Sequence, residues 1–268
     1  MEPSRYAGIA QFGPAYQVML ARDPHAPGSV DCVLVHRMVR LCADTAEWLY
    51  ARFTATESRY QVGSRPELER RAREATAGRA TDEERVAGIA AFCAALQRAV
   101  PQAPDEMVLG GTEEAIISRG SDWCTDVARV GSALCQVAGF AARLVYLADV
   151  EQAYSGHAIV EVYRAGAWGA VDASTDVVYR HGDGRPASTW DLMADPALIE
   201  AHGPAPYTSR GQFRRAALSN YPVWESSRYD YSQSRPNDYY RSILDMALKG
   251  WPGGLRWLHG EDGARRSK

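Results

Sequence analysis

The most constraining feature of the sequence is a helix pattern followed directly by three strand patterns, between residues 124 and 174. Residues 124–138 place apolar side chains on one helical face, and Gly139 ends that run. The segments "ARLVYL", "HAIVEVY" and "AWGAVDAS" then follow, and their branched and aromatic residues are typical of strands. The segment "RAGA" predicts a tight turn between the last two. A helix packed on a small antiparallel sheet, which is an α+β fold, is therefore predicted.

Cys124 stands where a turn becomes this helix, and two interpretations of it are open. Free cysteine is among the most buried residue types, which would make Cys124 a core residue. A helix N-terminus, however, presents unpaired N–H groups and the positive end of the helix dipole, and both favour a thiolate. A thiolate that attacks carbonyls needs an imidazole as base and acid, and the imidazole needs a third group that fixes its tautomer.

His157 and Asp172 are the candidates for these two groups, and strand geometry relates them. If Tyr163 pairs with Trp168 across the turn, Ile159 lies opposite Asp172, and His157 shares the face of Ile159. The two polar side chains are then diagonal neighbours with Cβ atoms somewhat less than about 7–8 Å apart. A three-residue loop would instead send Asp172 to the opposite face, so the prediction depends on the turn.

The order and context of these residues resemble the transglutaminase-like superfamily. Its members show a Cys at a helix start, a Gly and an Arg leading into a strand, a Gly-His strand and a Trp-x-x-x-Asp strand. The matching residues are Cys124, Gly139, Arg143, Gly156, His157, Trp168 and Asp172. The resemblance extends over roughly residues 80–180. It implies a papain-like core in which a helix carrying the Cys packs on an antiparallel sheet carrying the His and the Asp.

The resemblance also implies a class of reaction: acyl transfer through a thioester on Cys124, with His157 protonating the leaving group and Asp172 orienting His157. The substrate would be a peptide or a small-molecule amide or ester, and an amine would be the acceptor. If water is the acceptor, the same triad makes a cysteine peptidase or amidase. A non-catalytic scaffold that binds a peptide or a partner protein is a third alternative.

Three further residues are candidates for lining the substrate site: Trp123, Trp168 and Arg143. Trp123 is adjacent to Cys124. Arg143 could bind a substrate carboxylate, but an arginine at a strand start more often pairs with a structural acid or covers apolar surface. Cys135 lies three turns along the same helix with no histidine near it in sequence, so it is predicted to be a core residue.

Composition excludes several other classes of function. The formal charge of −3 gives no general attraction to nucleic acid or to anionic lipid. The histidines other than His157 show no repeated short spacing to a Cys or an acid, so no metal is expected, and no other cofactor is predicted. The five cysteines are odd in number and widely spread, which favours free thiols. Without a signal peptide or a long apolar stretch in this sequence, a cytoplasmic protein without membrane contact is predicted.

The organisation predicted along the chain has three parts that form one compact domain. Residues 1–79 are predicted to be a mainly helical N-terminal portion, including one long amphipathic helix from Val30 to Phe53. Residues 80–185 are the catalytic core, which begins with a helix that starts at Thr81 or Asp82. Residues 186–268 are an aromatic-rich extension packed on the core, with short helices at 189–201 and 237–248. The flanks resemble a bacterial branch of the superfamily that carries no assigned substrate.

Overall fold

The computed structural model describes residues 38–51, 60–98, 108–121, 123–149, 155–202, 213, 215–223 and 233–234. The helices of these ranges are α1 (Ala43–Ala51), α2 (Pro66–Thr76), α3 (Asp82–Arg98), α4 (Glu113–Arg119), α5 (Cys124–Val137), α6 (Thr189–Ala194) and α7 (Ala197–Ala201). The strands are β1 (Val39–Leu41), β2 (Leu109–Gly110), β3 (Ala141–Asp149), β4 (Ser155–Arg164), β5 (Ala167–Asp172), β6 (Val177–Val178), β7 (Ala216–Ser219) and β8 (Gln233–Ser234).

Six of these strands form one sheet in the order β1-β7-β3-β4-β5-β6. All neighbouring strands in it are antiparallel. The strands β2 and β8 form a separate antiparallel pair. The three strands predicted from the sequence, β3 to β5, occupy the centre, and β7 joins β3 from a distant part of the chain. The molecule is therefore an α+β protein, as predicted.

Apolar side chains pack on both faces of this sheet. On one face, helices α2, α3 and α5 share a core with Leu144 and Val160. On the other face, α1, α6 and α7 share a core with Val145 and Ile159. Neighbouring strand residues thus enter opposite cores, as the two-residue period of a strand requires. Because α2 lies before residue 80 but packs with α3 and α5, the first core crosses the predicted limit between the N-terminal portion and the catalytic core. The limits at 80 and 185 stay predictions.

Helix α5 follows the predicted pattern. It begins at Cys124, with Trp123 as its N-cap residue in an extended conformation, and is buried along most of its length. Its apolar face packs on β3 and β4. Gly139, two residues beyond the helix, has φ +97°, a left-handed conformation that glycine adopts without a Cβ clash and that commonly ends helices. The chain then enters β3 at Ala141.

The β4–β5 hairpin has the register that the sequence predicted. Tyr163 pairs with Trp168, and Val160 pairs with Val171. The connection is a two-residue turn, because β4 ends at Arg164 and β5 begins at Ala167. Its two residues both have positive φ, 49° at Ala165 and 79° at Gly166. Positive φ at both central positions is the mark of a type I′ turn, whose twist matches that of the flanking strands.

Ala165 is a poor choice for the first position of that turn, which gives a stability prediction. A left-handed conformation costs a residue with a Cβ atom roughly 1–2 kcal/mol, and asparagine tolerates it better than alanine. We expect Ala165→Asn to raise the free energy of unfolding by about 1 kcal/mol in urea titrations. Ala165→Val should lower it, because branched side chains are disfavoured at positive φ. Equal stability of both variants would contradict the turn assignment.

The long helix predicted from Val30 to Phe53 is correct for residues 43–51 but wrong for the residues before them that the structure describes. Val39–Leu41 is strand β1, and helix α1 begins only at Ala43. Residues 30–37 and Phe53 lie outside the described residues. The apolar residues of this segment are buried by two different elements: β1 pairs with β7, and α1 buries Leu49. This pairing with a distant strand overrides the local helical period.

The remaining predicted helices have mixed outcomes. Helix α3 begins at Asp82, as predicted, and its preceding Thr81 hydroxyl accepts a hydrogen bond from the Glu84 N–H at 3.2 Å. The segment 189–201 contains two short helices rather than one, and the segment 237–248 lies outside the described residues. Among the described helices, none is long and apolar enough to cross a membrane.

Candidate active site

Cys124 is the first residue of α5, and its side chain is partly exposed. The N–H groups of the first helical turn have no partner within the helix, so they and the helix dipole stabilise negative charge at this position. Two other cysteines of the described region contrast with it, since Cys93 and Cys135 are buried. Burial raises the pKa of the Cys135 thiol to about 12, which keeps it protonated at neutral pH. Cys135 is a packing residue, as predicted.

His157 connects Cys124 to Asp172. Its Nε2 atom lies 2.8 Å from Oδ2 of Asp172, so the ring donates a hydrogen bond to that carboxylate. The Cys124 side chain also lies near enough to His157 to raise the pKa of the ring. Because Nε2 is occupied by Asp172, Nδ1 is the ring nitrogen left for the sulfur. His157 and Asp172 lie on neighbouring strands, and the histidine is only 5% exposed.

The pKa of His157 shows what these contacts do to the imidazole. Burial alone lowers the pKa, because it penalises the charged ring. The hydrogen bond to Asp172, the negative charge of Asp172 and the nearby Cys124 outweigh burial, and together they raise the pKa from 6.5 to about 10. The ring is therefore an imidazolium at neutral pH. A charged imidazole next to a sulfur is the arrangement that supplies a proton to a departing group.

Asp172 is itself held in one orientation. Its side chain is fully buried, and its Oδ1 atom accepts a hydrogen bond from the backbone N–H of Ser174 at 3.0 Å. Oδ2 is thereby left directed at His157. A carboxylate fixed by a backbone donor holds the imidazole in one tautomer and orientation, and it stabilises the positive charge of the ring.

The three residues predicted to line the substrate site have different positions. Trp123 is partly buried next to Cys124, as adjacency requires. Trp168 lies four residues from Asp172 on β5, a distance of about 13 Å along the strand. It borders an open cleft formed by α1, the β4–β5 turn and the start of α6, at the other end of the hairpin from His157. The structure therefore does not bring Trp168 to Cys124.

Arg143 is also remote from Cys124. It pairs with Glu161, whereas Leu147, four residues further along β3, is the strand partner of His157. The Arg143 guanidinium donates to Glu161 at 2.8 Å and stacks on the Trp168 ring, 4.0 Å from its centroid. Both ionic side chains are buried. Arg143 thus pairs with a structural acid, and its position argues against the predicted contact with substrate at Cys124.

A buried polar group under the start of α5 is absent from the sequence predictions. Asp126, in the first turn of the helix, is almost fully buried and accepts hydrogen bonds from Ser121 and Arg119. The available signal was an acidic residue two positions after Cys124, which local rules interpret as a helix-start preference. Those rules carry no information on whether that acid is buried.

Among the described residues, no group of three or more His, Cys, Asp or Glu side chains could hold a metal ion.

A partly exposed cysteine at a helix start, a histidine near it and a buried aspartate are the residue types that cysteine-nucleophile chemistry uses. Comparison with protein families agrees with this class. Residues 69–173 match the model of the transglutaminase-like superfamily, so the chain carries a domain of that superfamily, and the matched segment includes Cys124, His157 and Asp172. Such domains are usually enzymes, either cysteine acyltransferases or peptidases. No curated protein and no solved structure matches the chain.

Proposed function

We propose that the protein is a cysteine-dependent acyltransferase that forms a thioester on Cys124 and passes the acyl group to an amine. The observation that supports this most directly is the position of His157, which donates a hydrogen bond to Asp172 and lies near Cys124. An imidazole between a nucleophile and an orienting carboxylate is the arrangement that acyl transfer through a covalent intermediate needs. The match to the superfamily model supports the same general chemistry.

The first half-reaction forms the thioester. The Sγ atom of the Cys124 thiolate attacks the carbonyl carbon of an amide or ester, and the carbonyl electrons move to oxygen. The backbone N–H of Cys124, at the helix start, is a donor for this oxyanion, and one such donor contributes about 2.7–4 kcal/mol of transition-state stabilisation. As the C–N or C–O bond breaks, the His157 imidazolium donates its proton to the leaving group. The products are an acyl-Cys124 thioester and neutral His157.

The second half-reaction decides the class of enzyme. Neutral His157 accepts a proton from an incoming amine, the amine nitrogen attacks the thioester carbon, and the Sγ–C bond breaks to give an amide and the original thiolate–imidazolium pair. If water takes the place of the amine, the product is a carboxylic acid and the enzyme is an amidase or peptidase. Both acceptors use the same three residues, so the acceptor must be measured.

Intact-mass spectrometry tests the proposal. The protein is incubated with 4-nitrophenyl acetate and with short peptide amides, each with and without a primary amine. We expect an acyl adduct that peptide mapping assigns to Cys124, together with an amide product that forms only when the amine is present. Release of the acid alone, at a rate that the amine does not change, would replace the transferase assignment by a hydrolase. An adduct assigned to Cys42 or Cys135 would contradict the proposed nucleophile.

A further inference from the structure

The turn that precedes Cys124 is tied to a buried carboxylate by one serine. Ser121 is only 4% exposed, and its hydroxyl makes two hydrogen bonds. It donates to Oδ2 of Asp126 at 3.1 Å, and its oxygen accepts from the backbone N–H of Trp123 at 3.2 Å. Trp123 is the N-cap residue of α5 and precedes Cys124 directly. Ser121 therefore connects the residue before Cys124 to the residue two positions after it.

Asp126 is a fixed anchor for this connection. Its carboxylate accepts hydrogen bonds from the Gly110 N–H at 3.0 Å and from Arg119 Nη2 at 2.9 Å. Arg129 lies 3.5 Å away as a second cationic neighbour. Two guanidinium groups next to one buried carboxylate offset its charge, so Asp126 adds little net negative potential near the Cys124 sulfur. Three segments thus meet at Asp126: the end of β2, the end of α4 and the first turn of α5.

Two further buried charges, Arg129 and Glu113, stabilise the same region. The Arg129 guanidinium donates to the Gly111 carbonyl at 2.7 Å and to the buried Glu113 carboxylate at 2.9 Å. Tyr221 also donates its phenolic hydrogen to Glu113. These groups are all buried, so rotation of any one of them breaks hydrogen bonds that water cannot replace. The Ser121 hydroxyl consequently links a rigid polar cluster to the backbone that carries Cys124.

On the basis of the proposed function, we propose that Ser121 is a positioning residue: its hydroxyl, held by Asp126, fixes the Trp123 N–H and thereby aims the Cys124 sulfur at His157. The thiolate–imidazolium pair needs the two side chains within hydrogen-bond distance. Displacement of a reacting group by about 1 Å costs on the order of 100-fold in rate. Loss of the link should therefore weaken the reactivity of Cys124 more than it weakens the fold.

Ser121→Ala tests this proposal, with Ser132→Ala as its matched control. Ser132 is a fully buried serine on α5, about 12 Å along the helix axis from Cys124, and its hydroxyl accepts a hydrogen bond from Gln136. Alkylation by iodoacetamide is followed across pH 5–10, a range set about the ordinary titration range of thiols, and peptide mass mapping separates Cys124 from the partly buried Cys42. This readout involves no acyl substrate.

We expect Ser121→Ala to slow alkylation of Cys124 by about 10- to 100-fold at neutral pH, and to lower kcat similarly with little change in KM. Alkylation of Cys42 should stay the same, and Ser132→Ala should alter thermal stability but neither rate. Ser121→Thr, which keeps a hydroxyl, should recover part of the loss. Unchanged Cys124 alkylation in folded Ser121→Ala, or an equal loss in Ser132→Ala, would overturn the positioning role. Failure of the proposed function would instead leave the alkylation difference intact while no acyl substrate turns over.

Discussion

Replacement of Cys124 by alanine is expected to remove acyl transfer almost completely, by about 10⁶-fold in kcat. The reason is that the thioester cannot form without the sulfur, while the backbone N–H and the imidazolium of His157 have no intermediate on which to act. The chain should still fold, because Cys124 is only partly buried at the margin of the core and alanine keeps its Cβ atom. The measurement is steady-state turnover of an activated ester in the presence of an amine, with circular dichroism as the test of folding.

Cys135→Ala is the matched control for that variant. Cys135 lies on the same helix, but it is 2% exposed and belongs to the apolar core on the α5 face of the sheet. Removal of its sulfur leaves a small cavity, so we expect a loss of about 1–2 kcal/mol in the free energy of unfolding and nearly unchanged turnover. Turnover retained by Cys124→Ala, or lost in Cys135→Ala with the fold intact, would contradict the assignment of the nucleophile.

The central part of the fold could be predicted because its signals are local. The helical period after Cys124, the left-handed Gly139 and the short turn at Ala165 and Gly166 each depend on a few neighbouring residues. The turn length then determined the hairpin register. Since side chains alternate along a strand, a correct register was sufficient to predict that His157 and Asp172 lie on one face.

The parts that could not be predicted depend on residues far apart in the chain. β1 becomes a strand because it pairs with β7. Leu41, for example, pairs with Ala216, some 175 residues later in the chain. The approach of Cys124 to His157 depends on how α5 crosses the sheet, and neither segment encodes that by itself. Ser121 and Asp126 carry ordinary turn and helix-start signals, so their burial becomes evident only once Gly110 and Arg119 pack against them.

Asp172→Asn is expected to lower turnover by up to about 10⁴-fold with little change in substrate binding. An asparagine amide keeps the shape of the carboxylate, but it removes the negative charge that stabilises the His157 imidazolium and admits the wrong tautomer. In the wild type the pKa of His157 is raised to about 10, so thioester formation should fall only as the pH approaches that value. In Asp172→Asn this fall should move to lower pH, since one of the two groups that raise the pKa has been neutralised.

The His157–Asp172 pair also predicts how stability changes with pH, and Asp176 is a nearby acid outside the site that serves as the control. Because the pKa of His157 is higher in the folded protein than its ordinary value of 6.5, the imidazolium stabilises the fold fully below pH 6.5, and this contribution is lost as the pH rises toward 10. The excess stability of wild type over Asp172→Asn should shrink across that interval.

Asp176→Asn, in an exposed turn with a φ of 59° that asparagine also adopts, should change neither turnover nor this pH dependence. If Asp172→Asn instead matches Asp176→Asn in rate and pH profile, Asp172 is not the residue that orients His157, and its hydrogen bond of 2.8 Å to the ring is only structural.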